Sequence, residues 1–295
     1  MHGDETTTDS STPEVPSLAG RHVGFVGAGQ IGAPMVGRLL AAGAHVRVHT
    51  RRPEARAALT AAGAEVVDEV RAVGTGSEIV ISCLFSDAQL QSVASELNAG
   101  LEPGSVLISH TTGSPNTTRA LEATLSATGK GLVEAPFSGT PAAVDAGQLT
   151  VLIAGAADSV DRAEPVLRAY AGTILRTGKI GTALVLKLLN NVMFTANVQL
   201  SLDLARVAQQ LGLPLADVFA VFEKSSGSTR ALSYLKEFGT PEAFRSEVQP
   251  FLCKDLNVCD VVVGELGVDL GMLGEVAHGP NLNLTMGTPD GFASA

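Results

Sequence analysis

His22-Val-Gly-Phe-Val26-Gly27-Ala-Gly29-Gln-Ile-Gly32 is the stretch whose reading decides the fold. A short apolar strand pattern ends at Val26 and runs into three glycines spaced G-x-G-x-x-G. Ile31, Met35, Leu39 and Leu40 then recur at helical spacing until Gly43, and Val46-Arg-Val-His-Thr50 alternates as a second strand. Each glycine has its own task in this context. The first permits a tight turn, the second lets a pyrophosphate approach the backbone, and the third lets helix pack on strand. The helix N-terminus then faces the phosphates. The order predicts a dinucleotide-binding unit.

Working outward, strand patterns recur at Glu65–Val67, Glu78–Leu84, Ser105–Ser109, Gly131–Glu134, Thr150–Ala154 and Thr173–Arg176. Helical stretches at Glu54–Ala62, Ala88–Asn98 and Thr117–Thr128 separate several of them. Alternation of this kind predicts a largely parallel, doubly wound Rossmann-type α/β sheet with helices on both faces. After Thr182 the texture becomes helical throughout, with helices expected at 182–211, 214–224, 228–236 and about 250–265. Pro214, Gly227, Pro241 and Gly267 punctuate them. The expected organisation is a disordered leader over 1–20, the sheet domain over 21–181 and an all-α domain over 182–295. A long helix, about 40 Å at ~1.5 Å per residue, joins the two domains.

Composition narrows the function classes. Hydrophobic residues make up 45% and charged residues 17%, and no run approaches the length of a membrane span. The Ser-, Thr- and Pro-rich start lacks the apolar core of a signal peptide. A net charge of -10 argues against general affinity for nucleic acid. Cys83, Cys253 and Cys259 are too few and wrongly spaced for a zinc site or a disulfide framework, which predicts a reducing, cytoplasmic setting and no metal.

Ligands of an open α/β sheet sit beyond the carboxyl ends of its strands. Three of those ends carry candidates. Leu84 and Phe85 could pack on an adenosine, Thr112 brings a hydroxyl toward a nicotinamide, and Ser138-Gly139-Thr140 could turn N–H groups toward an anion. The second strand ends at Thr50, Arg51 and Arg52, where an NAD-preferring site usually carries a carboxylate. A hydroxyl and guanidinium groups there suit a 2′-phosphate, so NADP(H) is expected over NAD(H). With Gly27, Gly29, Gln30, Ile31 and Gly32 these complete the cofactor set. Lys187 and Asn191, four residues apart, project from one face of the long helix about one turn apart.

Gly27-Ala-Gly-Gln-Ile-Gly-Ala-Pro-Met35 resembles the cofactor motif of the β-hydroxyacid dehydrogenase family, which includes 3-hydroxyisobutyrate dehydrogenase and tartronate semialdehyde reductase. Glu134-Ala-Pro-Phe-Ser-Gly139 resembles its substrate motif D-A-P-V-S-G-G, with Thr140 in place of the last glycine. Gly178-x-x-Gly181-x-Ala183-x-x-x-Lys187-x-x-x-Asn191 resembles its catalytic motif, and Lys254-Asp255-Leu256 its K-D-L contact. The resemblance spans about residues 21–265. It implies that Ser138 and Gly139 hold a substrate carboxylate, that Lys187 is the general acid/base and Asn191 orients substrate, and that Lys254 closes the pocket near the nicotinamide. Thr140 narrows that pocket or adds a hydroxyl to it. The segment from His278 onward departs from the family's longer closing helix.

The function expected is NADP(H)-dependent hydride transfer to or from a small 3-hydroxy acid or its semialdehyde. An imine reductase on the same scaffold is the alternative, though such enzymes generally lack the lysine. A non-catalytic NADP-binding module would leave Ser138, Lys187, Asn191 and Lys254 unexplained. The long helix is apolar around more than one face, which predicts a homodimer or tetramer through the helical domain.

Overall fold

The computed structural model describes residues 17–282, which fall into two compact units dividing at Leu184/Val185. That division lies three residues beyond the expected boundary at 181. Residues 1–16 of the expected leader lie outside the described residues. Its last part is packed, because Leu18 is buried in the core and its N–H donates to the Ala42 carbonyl at 2.7 Å.

The first unit opens with β1 (His22–Val26), α1 (Gly32–Ala41), β2 (His45–His49), α2 (Pro53–Ala61) and β3 (Glu65–Val67). It continues through β4 (Ile79–Ser82), α3 (Asp87–Gly100), β5 (Val106–Ser109), α4 (Pro115–Ser126) and β6 (Gly131–Glu134). Then come β7 (Phe137–Ser138), α5 (Pro141–Asp145), β8 (Leu149–Gly155), α6 (Ala157–Leu167) and β9 (Ala171–Gly178). The sheet order is β3-β2-β1-β4-β5-β6-β8-β7, with β9 paired to β8. Neighbours from β3 to β6 are parallel. β8 runs antiparallel to β6 and β7 and parallel to β9, so the expected parallel sheet is mixed at this margin.

Alternating side chains feed two cores. Phe25, Ile79, Ile81 and Ile108 pack with Met35 and Leu39 of α1 on one face. Val80, Leu107 and Leu132 pack with Leu90, Leu97, Leu121 and Leu125 of α3 and α4 on the other. β4 and β5 are buried along their whole length, as central parallel strands covered on both faces must be.

The long helix α7 spans Thr182–Gln210 without interruption. Beyond it the second unit holds α8 (Leu215–Glu223), α9 (Arg230–Phe238), α10 (Pro241–Leu266) and α11 (Met272–Ala277). α10 starts nine residues before the expected 250. Thr240 caps it, Pro241 fills its first position and Pro250 lies inside it. A proline there removes one backbone bond. Phe244, Leu252, Leu256 and Cys259 nevertheless stay buried on both sides of it, and that apolar stripe carries the helix through. Gly267 then ends the helix in the left-handed conformation. Among the described residues no helix is long and apolar enough to cross a membrane.

The last described residues are tied to α7 by Gln199. Its Nε2 donates to the carbonyls of Ala277 and Gly279, at 3.1 and 2.6 Å, and its Oε1 accepts the Asn281 N–H at 3.0 Å. Nδ2 of Asn281 returns a bond to the Gln199 carbonyl at 3.1 Å. The atypical segment beginning at His278 is thus docked as far as Leu282, which is itself buried.

Candidate active site

The three glycines of the loop after β1 sit in different surroundings. A Cβ on Gly27 would lie 2.3 Å from the Cys83 carbonyl oxygen, and one on Gly32 would lie 2.2 Å from that of Gly27. Those two glycines are demanded by close packing. A Cβ on Gly29 would meet nothing within 4 Å, so its space faces outward rather than into the protein. α1 begins beside this opening with no side-chain cap and no acidic residue in its first turn. Ala33 N–H donates to the Gly29 carbonyl at 2.9 Å and Pro34 carries no N–H, so what the first turn offers an external anion is chiefly the positive end of the helix dipole. This cradle fits the pyrophosphate of a dinucleotide.

The other cofactor candidates distribute as follows. Leu84 lies against Gly27, its Cδ2 2.9 Å from where a Cβ there would sit. Phe85 and Gln30 are exposed, and Ile31 is the half-buried residue before α1. Thr50 is buried at the end of β2, while Arg51 and Arg52 are exposed, with Arg52 immediately before α2 and making no side-chain cap to it. Thr112 is half-buried. Its neighbour Thr111, not singled out from sequence, is the more informative hydroxyl. Oγ1 of Thr111 and Nδ1 of His49 are buried with no hydrogen-bond partner among the described residues. Such atoms ask for a ligand or water.

Behind these strand ends His110 is fixed in the core. One ring nitrogen meets the Ala135 carbonyl at 2.6 Å and the other the Tyr170 hydroxyl at 2.9 Å. Burial pushes its pKa down to about 4, so it stays neutral at ordinary pH. Burial likewise pushes the Cys83 thiol up to about 12, which makes it a poor nucleophile.

Ser138 ends β7, exposed and paired in register with Thr150. Gly139 holds a φ of 139°, and a Cβ on it would approach Leu149 Cδ2 to 2.6 Å. Thr140 is exposed, and its hydroxyl accepts the Ala143 N–H at 3.4 Å as the cap of α5. That cap gives Thr140 a local reason to replace glycine.

Glu134, at the end of β6, was quoted in a motif above without a role. It is 1% exposed. Its Oε2 accepts the Gly181 N–H at 2.8 Å, and its Oε1 accepts those of Ala183 and Leu184 at 2.7 and 3.3 Å. Burial pushes its pKa up, while the three N–H groups and the charge of Arg119 pull it back down.

The helical unit brings Lys187, Asn191 and Lys254 together around a residue that had also been quoted without a role, Asp255. Oδ2 of Asp255 accepts from Asn191 Nδ2 at 2.7 Å, and Oδ1 lies 3.2 Å from Lys254 Nζ. Lys187 is half-buried, and burial lowers its pKa. The Asp255 carboxylate opposes that shift and Lys254 adds to it. A lysine in this state exchanges its proton more readily than one in water. Asn191 is 6% exposed and held by Asp255, so its amide is oriented in advance. Among the described residues no group of three or more His, Cys, Asp or Glu stands ready to hold a metal ion.

The model of the NAD binding domain of 6-phosphogluconate dehydrogenase matches residues 22–179. A 3-hydroxyisobutyrate dehydrogenase of Pseudomonas aeruginosa is 31% identical over 214 residues, 72% of each chain. An NAD-dependent L-serine dehydrogenase of the same organism is 28% identical over 215 residues, again 72% of each. Among solved structures, a Mycobacterium tuberculosis 3-hydroxyisobutyrate dehydrogenase with L-serine superposes with a TM-score of 0.78 at 24% identity. That match covers 86% of this chain and 90% of the other and shows a shared fold. The glycine cradle, the lysine–asparagine helix and these matches meet on one conclusion: the chain belongs to the β-hydroxyacid dehydrogenase family and is an NAD(P)-dependent oxidoreductase of that type.

Proposed function

We propose that the protein catalyses NADP(H)-dependent hydride transfer to or from a small 3-hydroxy acid or its semialdehyde, with Lys187 as general acid/base. The observation that carries this reading is the half-buried setting of Lys187, one helical turn from an Asn191 whose amide Asp255 holds in place. Bound nicotinamide supplies or accepts the hydride. As the carbinol carbon loses hydride, neutral Lys187 Nζ takes the hydroxyl proton; in reduction its ammonium polarises the carbonyl and returns that proton. Asn191 orients the reacting oxygen. Ser138 and the Gly139 backbone receive the substrate carboxylate, Thr140 bounds the substrate at the start of α5, and Lys254 lies near the nicotinamide. The test is a spectrophotometric screen of nicotinamide oxidation and reduction against small hydroxy acids, semialdehydes and cyclic imines. Turnover confined to imines would reject the proposal.

The preference for NADP(H) rests on Thr50, Arg51 and Arg52, with no carboxylate at that strand end. Arg51 follows the strand directly and is the first choice for the 2′-phosphate, where a planar guanidinium makes a two-point contact. Changing Thr50 to Asp together with Arg51 to Ala is expected to move the kcat/KM ratio toward NAD by more than tenfold. Wild-type protein that uses NAD as efficiently as NADP would overturn this assignment.

An oligomer built through the helical domain is the expected working form. Leu186, Leu189, Met193, Leu200 and Val207 of α7 are exposed, a row of large apolar side chains that water-facing helices seldom carry. Light scattering at micromolar concentration should read a dimer or tetramer, and a monomer would refute it. The free cysteines Cys83, Cys253 and Cys259 suit a reducing cytoplasm.

A further inference from the structure

We infer that Glu134 is a positioning residue for Lys187, acting by anchoring the first turn of α7 from the end of β6. The first turn of a helix has N–H groups with no partner inside the helix, and a local Ser, Thr or Asp usually takes one of them. The residue preceding α7 is Gly181, which has no side chain to offer. A single carboxylate from 47 to 50 residues earlier in the chain takes three N–H groups instead. Both of its oxygens are used. It is also buried, so water cannot replace it without opening the core.

The position of Lys187 follows from this anchor. Lys187 lies four residues past Ala183, about one turn and ~6 Å further along the same helix. Displacement of the first turn is therefore carried to its ammonium almost undiminished. A shift of the order of 1 Å at a reacting group is enough to cost turnover heavily. β6, which ends at Glu134, leads within three residues into β7, which carries Ser138. One side chain thus ties the start of the lysine helix to the strand exit that leads to the proposed carboxylate-binding serine.

The role rests on the dehydrogenase reading of Lys187, but the anchor can be measured without it. Glu134→Gln preserves shape and leaves only one acceptor oxygen. Whichever way the amide turns, its NH2 faces an N–H that the carboxylate had satisfied. Hydrogen exchange should quicken over residues 181–188, and kcat per folded molecule should fall at least tenfold. Affinity for NADP should stay within about twofold, because the Gly27–Gly32 cradle is untouched. The ionisation limb assigned to Lys187 should move up toward an ordinary lysine as water reaches the loosened turn. Glu134→Asp keeps the charge and both acceptors and should recover most of the lost turnover. A folded Gln variant with wild-type kcat would overturn the proposal, as would a loss accounted for by a smaller folded fraction. If the wild type turns over no hydroxy acid, the dehydrogenase reading fails. Exchange then decides the anchor by itself: quickened exchange upholds it and unchanged exchange overturns it.

Discussion

Lys187→Ala is expected to lower turnover by about 10²–10⁴-fold, the usual weight of a positioned acid/base, while NADP affinity stays near wild type. Lys187→Arg should be nearly as inactive, because a guanidinium does not release its proton at working pH. The sign of the pH dependence follows from the lowered lysine pKa. Oxidation needs the neutral amine, so its kcat/KM should rise with pH through a limb lying below the ordinary lysine range. Reduction needs the ammonium and should fall through the same limb. In the alanine variant that limb should vanish in both directions. Steady-state kinetics across pH provide the check, and near-normal turnover in the alanine variant would sink the mechanism.

Two glycines of the same loop should fail in opposite ways. Gly32→Ala places a Cβ 2.2 Å from the Gly27 carbonyl oxygen and 3.0 Å from the Phe25 ring, against backbone that cannot rotate away. Overpacking of this kind costs about 1–3 kcal/mol or more, visible as a fall of several degrees in the thermal midpoint of the ligand-free protein. Gly29→Ala meets nothing within 4 Å and does not lie at positive φ, so the fold should accept it with its midpoint unchanged. The new methyl group instead enters the space kept for the pyrophosphate. NADP affinity should drop by tenfold or more, about 1.4 kcal/mol at least. Calorimetry with and without NADP separates the two outcomes. A Gly29→Ala variant that binds NADP normally would show that the phosphates lie elsewhere.

The run from β1 through β2 was legible because the Gly27–Gly32 spacing, the helical period after it and the alternation to Thr50 all agree. α10 begins nine residues before the expected 250: Pro241, read as punctuation, fills its first position, and the burial of Phe244 shows the apolar stripe already running before Pro250. No helix was expected at α6, which carries Pro165 inside it. β7 is two residues long, too short for any period to register. Within the candidate site, Lys187 and Asn191 draw notice in the sequence because a cation and an amide share an apolar helix. Asp255 and Glu134 do not. An acidic residue on a helix or at a strand end usually faces water, and only the fold shows which N–H groups close on it.

Gln199 gives residues 277–281 a kind of hold that differs from the one beside it. The neighbouring His278 ring meets Asp260 at 3.0 Å, a pair that is ionic only while the imidazole carries its extra proton. That contact is exposed, so dissolved salt also weakens it. The four bonds between Gln199 and residues 277–281 join neutral amides only. No proton is gained or lost in making them and no counterion is displaced. Those four bonds are therefore insensitive to acidity and ionic strength, so this part of the hold on residues 277–281 persists when the His278–Asp260 contact in the same segment is lost.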